Sequence, residues 1–232
     1  MDIHMINPIY SLLQLCDSNF PSGAFSHSFG IETYIQEGAI HDKTSFQHAL
    51  VLYIRKQLVF SDGLACALSY EAIDNGENGS LVEIDHLLYC SSLAQETRVG
   101  TRRMGERMAK LCLELYPSSI LGDYVKWMKE KKVYGHPAIV FAIVAYGLSV
   151  GKKTAVGSYL FSTVSSLVQN GVRGIPLGQT DGQKMVLEIQ PVIEEAVNRM
   201  AHLSIDDLGA VSPGLEIAQM RHERLHVRLF MS

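Results

Sequence analysis

The sequence predicts an all-α fold, a single-domain bundle of about eight to ten helices spanning residues 1–232. Three observations predict it. Apolar residues recur at intervals of three, four or seven along most of the chain, the spacing that puts side chains on one helical stripe. Few segments alternate with a period of two. The turn pairs Asn75-Gly76 and Asn78-Gly79 fall between helical patterns rather than between strands. No fixed-period repeat, low-complexity run or long linker divides the chain.

In chain order, the short apolar stretch Tyr10 to Leu15 precedes a turn-rich bend. From Phe46, the residues Leu50, Ile54, Leu58, Ala65 and Leu68 form one helical stripe, capped by either Asp42 or Thr44, with Ser61-Asp62-Gly63 as a point where it can divide. Ser80-Leu81-Val82-Glu83 fits a capping box ahead of Ile84, Leu87, Leu88 and Ala94. This helix is expected to run on through Met104, Met108, Leu111 and Leu115 until Pro117 stops it, with Arg98, Arg102, Glu106 and Lys110 on its exposed face.

Pro137 suits the first turn of the next helix, where its missing N–H costs nothing, and Gly151 is the expected end. A returning helix with a stop at Asn170-Gly171 completes a hairpin. Gly174 to Gly178 interrupts helical continuation, and a further helix covers Gln183 to Met200 with Pro191 inside it. Ser212-Pro213 then supplies an N-cap and Pro at the first position of a last helix holding Leu215, Ile217, Ala218 and Leu225. From about residue 221 a flexible C-terminal tail is expected.

Composition narrows the function. A 47% hydrophobic content is ordinary for a protein with a sizeable core. The 20 Lys and Arg against 24 Asp and Glu leave a net charge of −4 without a long run of one sign, so no nucleic-acid partner is expected. Cys16, Cys66, Cys90 and Cys112 are scattered without a CxxC pair, which reads as reduced thiols in a cytoplasmic protein. Met1 to Leu15 lacks the basic and apolar parts of a secretory signal. Val133 to Gly151 has no Asp, Glu, Lys or Arg, but its strongly apolar part, Pro137 to Val150, falls short of the roughly 20 residues a bilayer needs. A buried core helix, and no membrane partner, is the expectation.

Two strings resemble enzyme motifs. His222-Glu223-Arg224-Leu225-His226 fits H-E-x-x-H, which on a helix places two imidazoles on one face for zinc with Glu as general base. Only six residues follow, leaving no room for a downstream third ligand. The alternatives are a zinc-dependent hydrolase and a solvated basic end carrying Arg221, Arg224 and Arg228. Gly147 to Thr154 imitates a phosphate loop, but its glycines are one residue too close and Lys153 stands where Ser or Thr would hold Mg²⁺. No catalytic residue, metal ligand or cofactor is assigned.

The most unusual segment is Asp17-Ser18-Asn19-Phe20-Pro21-Ser22-Gly23-Ala24-Phe25-Ser26-His27-Ser28-Phe29-Gly30-Ile31-Glu32. Asp17 and Ser18 suit local bonding to backbone N–H groups, and Pro21 and Gly23 suit sharp turns. The string D-S-x-F-P-x-G-x-F-x-H-S-x-G-I-E resembles the N-terminal signature of the urease accessory protein UreF family. Later segments resemble that family in the same order: Glu96 and Arg98 ahead of Met104-Gly105; Gly135-His136-Pro137; Arg173 followed by Ile175 to Gln183, including Gly178 and Gln179; and Met220-Arg221-His222-Glu223 with Arg228-Leu229-Phe230.

The resemblance implies an all-helical, dimerising, non-catalytic protein that joins a second accessory protein, UreD (also called UreH), and the GTPase UreG on apo-urease during nickel delivery. It implies partner-binding or structural roles for Asp17, Ser18, Pro21, Gly23, His27, Ser28, Gly30, Glu32, Gly135, His136, Arg173, Gly178, Gln179, Arg221, His222 and Arg228. A generic helical adaptor unrelated to urease is the third alternative.

Overall fold

The computed structural model describes residues 7–232; residues 1–6, the start of the segment read as lacking a secretory signal, lie outside the described residues. Asn7 caps α1 (Pro8–Cys16) by accepting the Ile9 N–H, with Pro8 in the first turn. After the bend come α2 (Ile31–Gln36), α3 (Lys43–Lys56) and α4 (Asp62–Asp74). Then follow α5 (Ser80–Ser91), α6 (Gln95–Leu115), α7 (Ser119–Lys129), α8 (Pro137–Gly147), α9 (Lys152–Gly174), α10 (Gln179–Met200) and α11 (Pro213–His222). The described residues contain no strand, so the all-α expectation holds.

Of the two cap candidates for α3, Asp42 is the one used, in a reciprocal box with Ser45. The predicted division occurs: a 3-10 turn over Leu58–Phe60 separates α3 from α4. Gly63 lies so close to the Leu58 carbonyl that a Cβ would sit 2.7 Å from it. The Ser80 capping box does not form. Ser80 is already helical, and the carbonyls of Glu77, Asn78 and Gly79 take the first N–H groups instead.

Nor does one helix run from Leu81 to Leu115. It breaks at Ser92 to Ala94, where distant side chains satisfy the backbone: Glu216 accepts the Leu93 N–H at 2.9 Å and Arg98 donates to the Ser92 carbonyl at 3.0 Å. Arg98 therefore turns inward, while Arg102 and Glu106 form the expected surface pair at 3.2 Å. The α7 helix, absent from the sequence reading, begins at a Ser118 cap on the Leu121 N–H.

The core centres on α4 and α8, which pack on each other. Nine of the eleven α8 residues, Pro137 through Ala145, are buried, as befits a helix apolar on every face. Each fully buried large side chain there contributes roughly 1.5–3 kcal/mol before chain entropy is subtracted. α8 ends at Gly147 rather than Gly151, which instead precedes α9. α9 likewise continues past Asn170-Gly171 to Gly174, because Gly171 is needed inside the helix, where a Cβ would lie 2.1 Å from the Phe46 ring. α10 begins four residues before its expected start and carries Pro191 within it. In α11, Leu215 and Ala218 are buried, Ile217 is exposed, and Leu225 lies beyond the helix end.

Candidate functional site

The bend from Asp17 to Glu32 is built by its own polar atoms and then clamped from three sides. Asp17 accepts the Asn19 N–H at 2.7 Å, while Ser18 and Pro21 are exposed. Gly23 adopts φ +90 and Gly30 φ +87. At Gly30 a side chain is excluded twice over, since a Cβ would also meet Gln219 Cγ at 2.9 Å. His27 is buried against α6 at Gly100, whose absent Cβ would lie 2.6 Å from the imidazole. Its Nδ1 faces Ser232 Oγ at 2.7 Å, and the buried Asn170 side chain of α9 donates to its carbonyl at 2.8 Å. Burial, aided by the charges of Arg107 and His222 and opposed by Glu96, holds the His27 pKa below its ordinary value.

The chain beyond α11 folds back along this bend. The N–H groups of Ser28 and Phe29 donate to the Ser232 main-chain oxygen at 2.6 and 3.1 Å, the Ser28 hydroxyl joins them at 2.7 Å, and the Met231 N–H donates to Ser26. Gln36 reaches the Val227 carbonyl at 2.6 Å. Such backbone pairing satisfies groups that a solvated tail would leave to water.

At the centre lies an ionic chain. Glu32, in the first turn of α2, accepts the N–H groups of Leu229 and Phe230 at 2.6 and 3.2 Å and faces His222 Nε2 at 2.8 Å. The other imidazole nitrogen faces Glu96 of α6 at 2.9 Å, and Glu96 accepts from Arg228 at 2.6 Å. His222 is fully buried. Each ring nitrogen of His222 thus has a carboxylate as its partner. Burial alone would raise the Glu96 carboxyl, but the hydrogen bonds and charges of His222 and Arg228 outweigh it and hold the group below its ordinary value.

A second clasp lies beside it. The Arg173 guanidinium sits 3.9 Å from the Phe25 ring centroid and 4.9 Å from that of Phe230, donates to the Phe25 carbonyl at 3.0 Å and bonds the Asn170 amide oxygen. Arg173 thus joins the bend, α9 and the C-terminal segment through cation–π and hydrogen-bond contacts.

Gly135 and His136 belong to a separate constellation around buried Asp85 of α5. Its carboxylate accepts from the Tyr124 hydroxyl and from the N–H groups of Tyr134, Gly135 and His136. His136 caps α8 through Nδ1, while Nε2 points towards Asp62 at 3.7 Å. Burial lowers its pKa against the pull of Asp62 and Asp85. Gly178 and Gln179 open α10 and are exposed, and Arg221 makes a surface pair with Glu37 at 3.1 Å.

The geometry also corrects the zinc reading of His222-Glu223-Arg224-Leu225-His226. α11 ends at His222, so His222 and His226 do not share a helical face, and both nitrogens of His222 are spent on carboxylates. Among the described residues no group of three His, Cys, Asp or Glu side chains is arranged to hold a metal ion.

Many of the residues carrying these contacts, among them His27, Glu32, Glu96, Arg173, His222 and Arg228, lie in the segments that resemble UreF. The UreF family matches residues 40–190. The chain is 67% identical over 227 residues to the urease accessory protein UreF of Bacillus sp. (strain TB-90), covering 98% of this chain and 100% of that protein. This chain belongs to the UreF family. It is also 53% identical to the urease accessory protein UreF of Lachnoclostridium phytofermentans (98% of this chain, 100% of the relative). Against that of Geobacillus kaustophilus it is 51% identical (95% of this chain, 96% of the relative).

Within this UreF-family fold, the site list drawn from sequence omitted residues that hold the site together. Asp85 carried a signal, because an acid at the Leu81, Ile84, Leu88 stripe occupies a position expected to be buried. Glu96 stood in a family-like segment without a role. Phe25 and Phe230 stood in family-like strings without a role, while Asn170 and Ser232 offered no local signal, since their partners come from distant parts of the chain.

Proposed function

We propose that this chain is a non-catalytic, cytoplasmic accessory protein required for nickel incorporation into urease, acting as a homodimer that joins UreD/UreH and the GTPase UreG on apo-urease. The near full-length likeness to proteins named urease accessory protein UreF carries the reading. The surface formed by the bend and the C-terminal segment is the partner-recruiting face, with Arg228 as its charged anchor. Its ordered backbone and its Arg and aromatic content are what partner interfaces favour. Exposed Ile9, Tyr10 and Leu13 on α1 offer apolar surface of the kind self-association uses. No described helix is long and apolar enough to cross a membrane.

The test is complementation. A urease operon lacking this gene should yield inactive, nickel-poor urease, restored by the wild-type chain and poorly by Arg228→Ala, whose purified form should also recruit UreD/UreH or UreG weakly. Active urease without the gene would overturn the proposal.

A further inference from the structure

The outer side of α6 carries a positive surface that the fold does not neutralise. Arg103 and Arg107 are exposed, and neither has a carboxylate within 4.0 Å among the described residues, whereas Arg102 one position away is paired with Glu106. Arg107 bends over Gly23, where a Cβ would come within 2.7 Å of its guanidinium. Together with the C-terminal segment they line an open groove whose floor includes His27, Gly100 and Phe230. Two carboxylates share the lining: Glu96, already engaged by His222 and Arg228, and exposed Glu223. Val99, 37% exposed, and Met231 of the C-terminal segment, 57% exposed, add apolar surface to the lining.

We propose that this groove docks a carboxylate-bearing segment of a partner protein, with Arg103 and Arg107 receiving its acids and Val99 and Met231 an apolar side chain between them. The inference rests on the reading of this face as the partner-recruiting one, and extends it from the C-terminal segment to α6. Guanidinium groups are the side chains best shaped for bidentate carboxylate recognition. A local positive patch on a chain of net charge −4 steers an acidic partner to one face. Apolar Val99 and Met231 and the carboxylate of Glu223 suit a protein segment rather than a nucleic-acid backbone, which needs an unbroken cationic track.

The experiment titrates purified UreD/UreH and purified UreG homologues separately against the wild-type chain, R103E/R107E, R103K/R107K and Arg228→Ala, at low and high salt, with duplex DNA as a control. Melting temperatures verify folding, which surface substitutions should leave within about 2 °C. Charge reversal should weaken binding of one partner roughly tenfold or more and flatten its salt dependence, while the lysine pair keeps most of the affinity. Wild-type affinity and salt dependence in R103E/R107E would overturn the inference. In that case a loss confined to Arg228→Ala leaves the proposed function standing, whereas full affinity in every variant removes the recruiting face as well. Loss of DNA binding alone would assign the groove to nucleic acid and equally overturn it.

Discussion

Glu32 and His222, 190 positions apart in sequence, meet at 2.8 Å with side chains 3% and 0% exposed. The contact makes the start of α2 and the end of α11 one structural unit, and the same carboxylate receives two N–H groups from the segment that follows. A buried carboxylate surrounded by three donors is stable only as a complete set, because each donor left unpaired keeps its desolvation cost.

Glu32→Gln tests that completeness. Both carboxylate oxygens accept donors, so whichever way the amide turns, its NH₂ faces a backbone N–H, and His222 loses one of its two carboxylate partners. The expected loss is about 3 kcal/mol, a fall in Tm of roughly 6–12 °C for a chain of this size. Glu37→Gln, which breaks only the exposed pair with Arg221, should change stability by less than about 0.5 kcal/mol. Equal melting of the two variants, measured by differential scanning fluorimetry, would contradict the central role given to Glu32.

The elements most legible in the sequence were those specified by neighbours along the chain. Pro137 and the apolar run behind it mark the start of α8, and Ser212-Pro213 that of α11. Local rules failed where a distant group intervened. Ser92 and Leu93 leave the helical ladder because Arg98 and Glu216 supply partners, and Asn170-Gly171 remains helical because Phe46 fills the space at Gly171. The same reason explains the C-terminal segment. It resembles a solvated end until Glu32 is brought beside His222, Glu96 beside Arg228 and the backbone of Ser28 beside Ser232. The family-like strings marked the right segments without revealing which residues touch.

Two helical glycines separate close packing from mere tolerance. At Gly105 a Cβ would fall 1.8 Å from the Gly135 carbonyl oxygen, a backbone atom that cannot yield without moving the start of α8. Gly105→Ala should therefore destabilise by about 1–3 kcal/mol or more. At Gly122 in α7 nothing lies within 4 Å and the backbone is helical, so Gly122→Ala should stabilise by about 0.5–1 kcal/mol through reduced chain entropy. Urea denaturation of both variants checks the opposed signs, and a stable Gly105→Ala would refute the contact between α6 and the turn before α8.

Acidification should weaken the fold in two stages. His27 and His136 both have pKa values lowered by burial, so the folded state holds them neutral while the unfolded chain titrates them near 6.5. Below about pH 6.5 the unfolded state binds more protons, and stability falls as pH drops towards the folded values, with a slope of up to about 1.4 kcal/mol per pH unit for each group. Glu96 acts lower: its pKa is depressed from 4.5, so its contribution is present above that value and is lost as pH falls through the folded one. Stability measured by urea unfolding should thus decline between about pH 7 and 5.5, before Glu96 titrates. His27→Gln lowers the whole curve, because the contact with Ser232 changes, yet it should also remove about half of that slope, since one of the two buried imidazoles no longer titrates. The slope separates the two effects: an unchanged slope in the variant would mean that His27 is not held neutral, and a flat wild-type curve over this range would exclude both histidines.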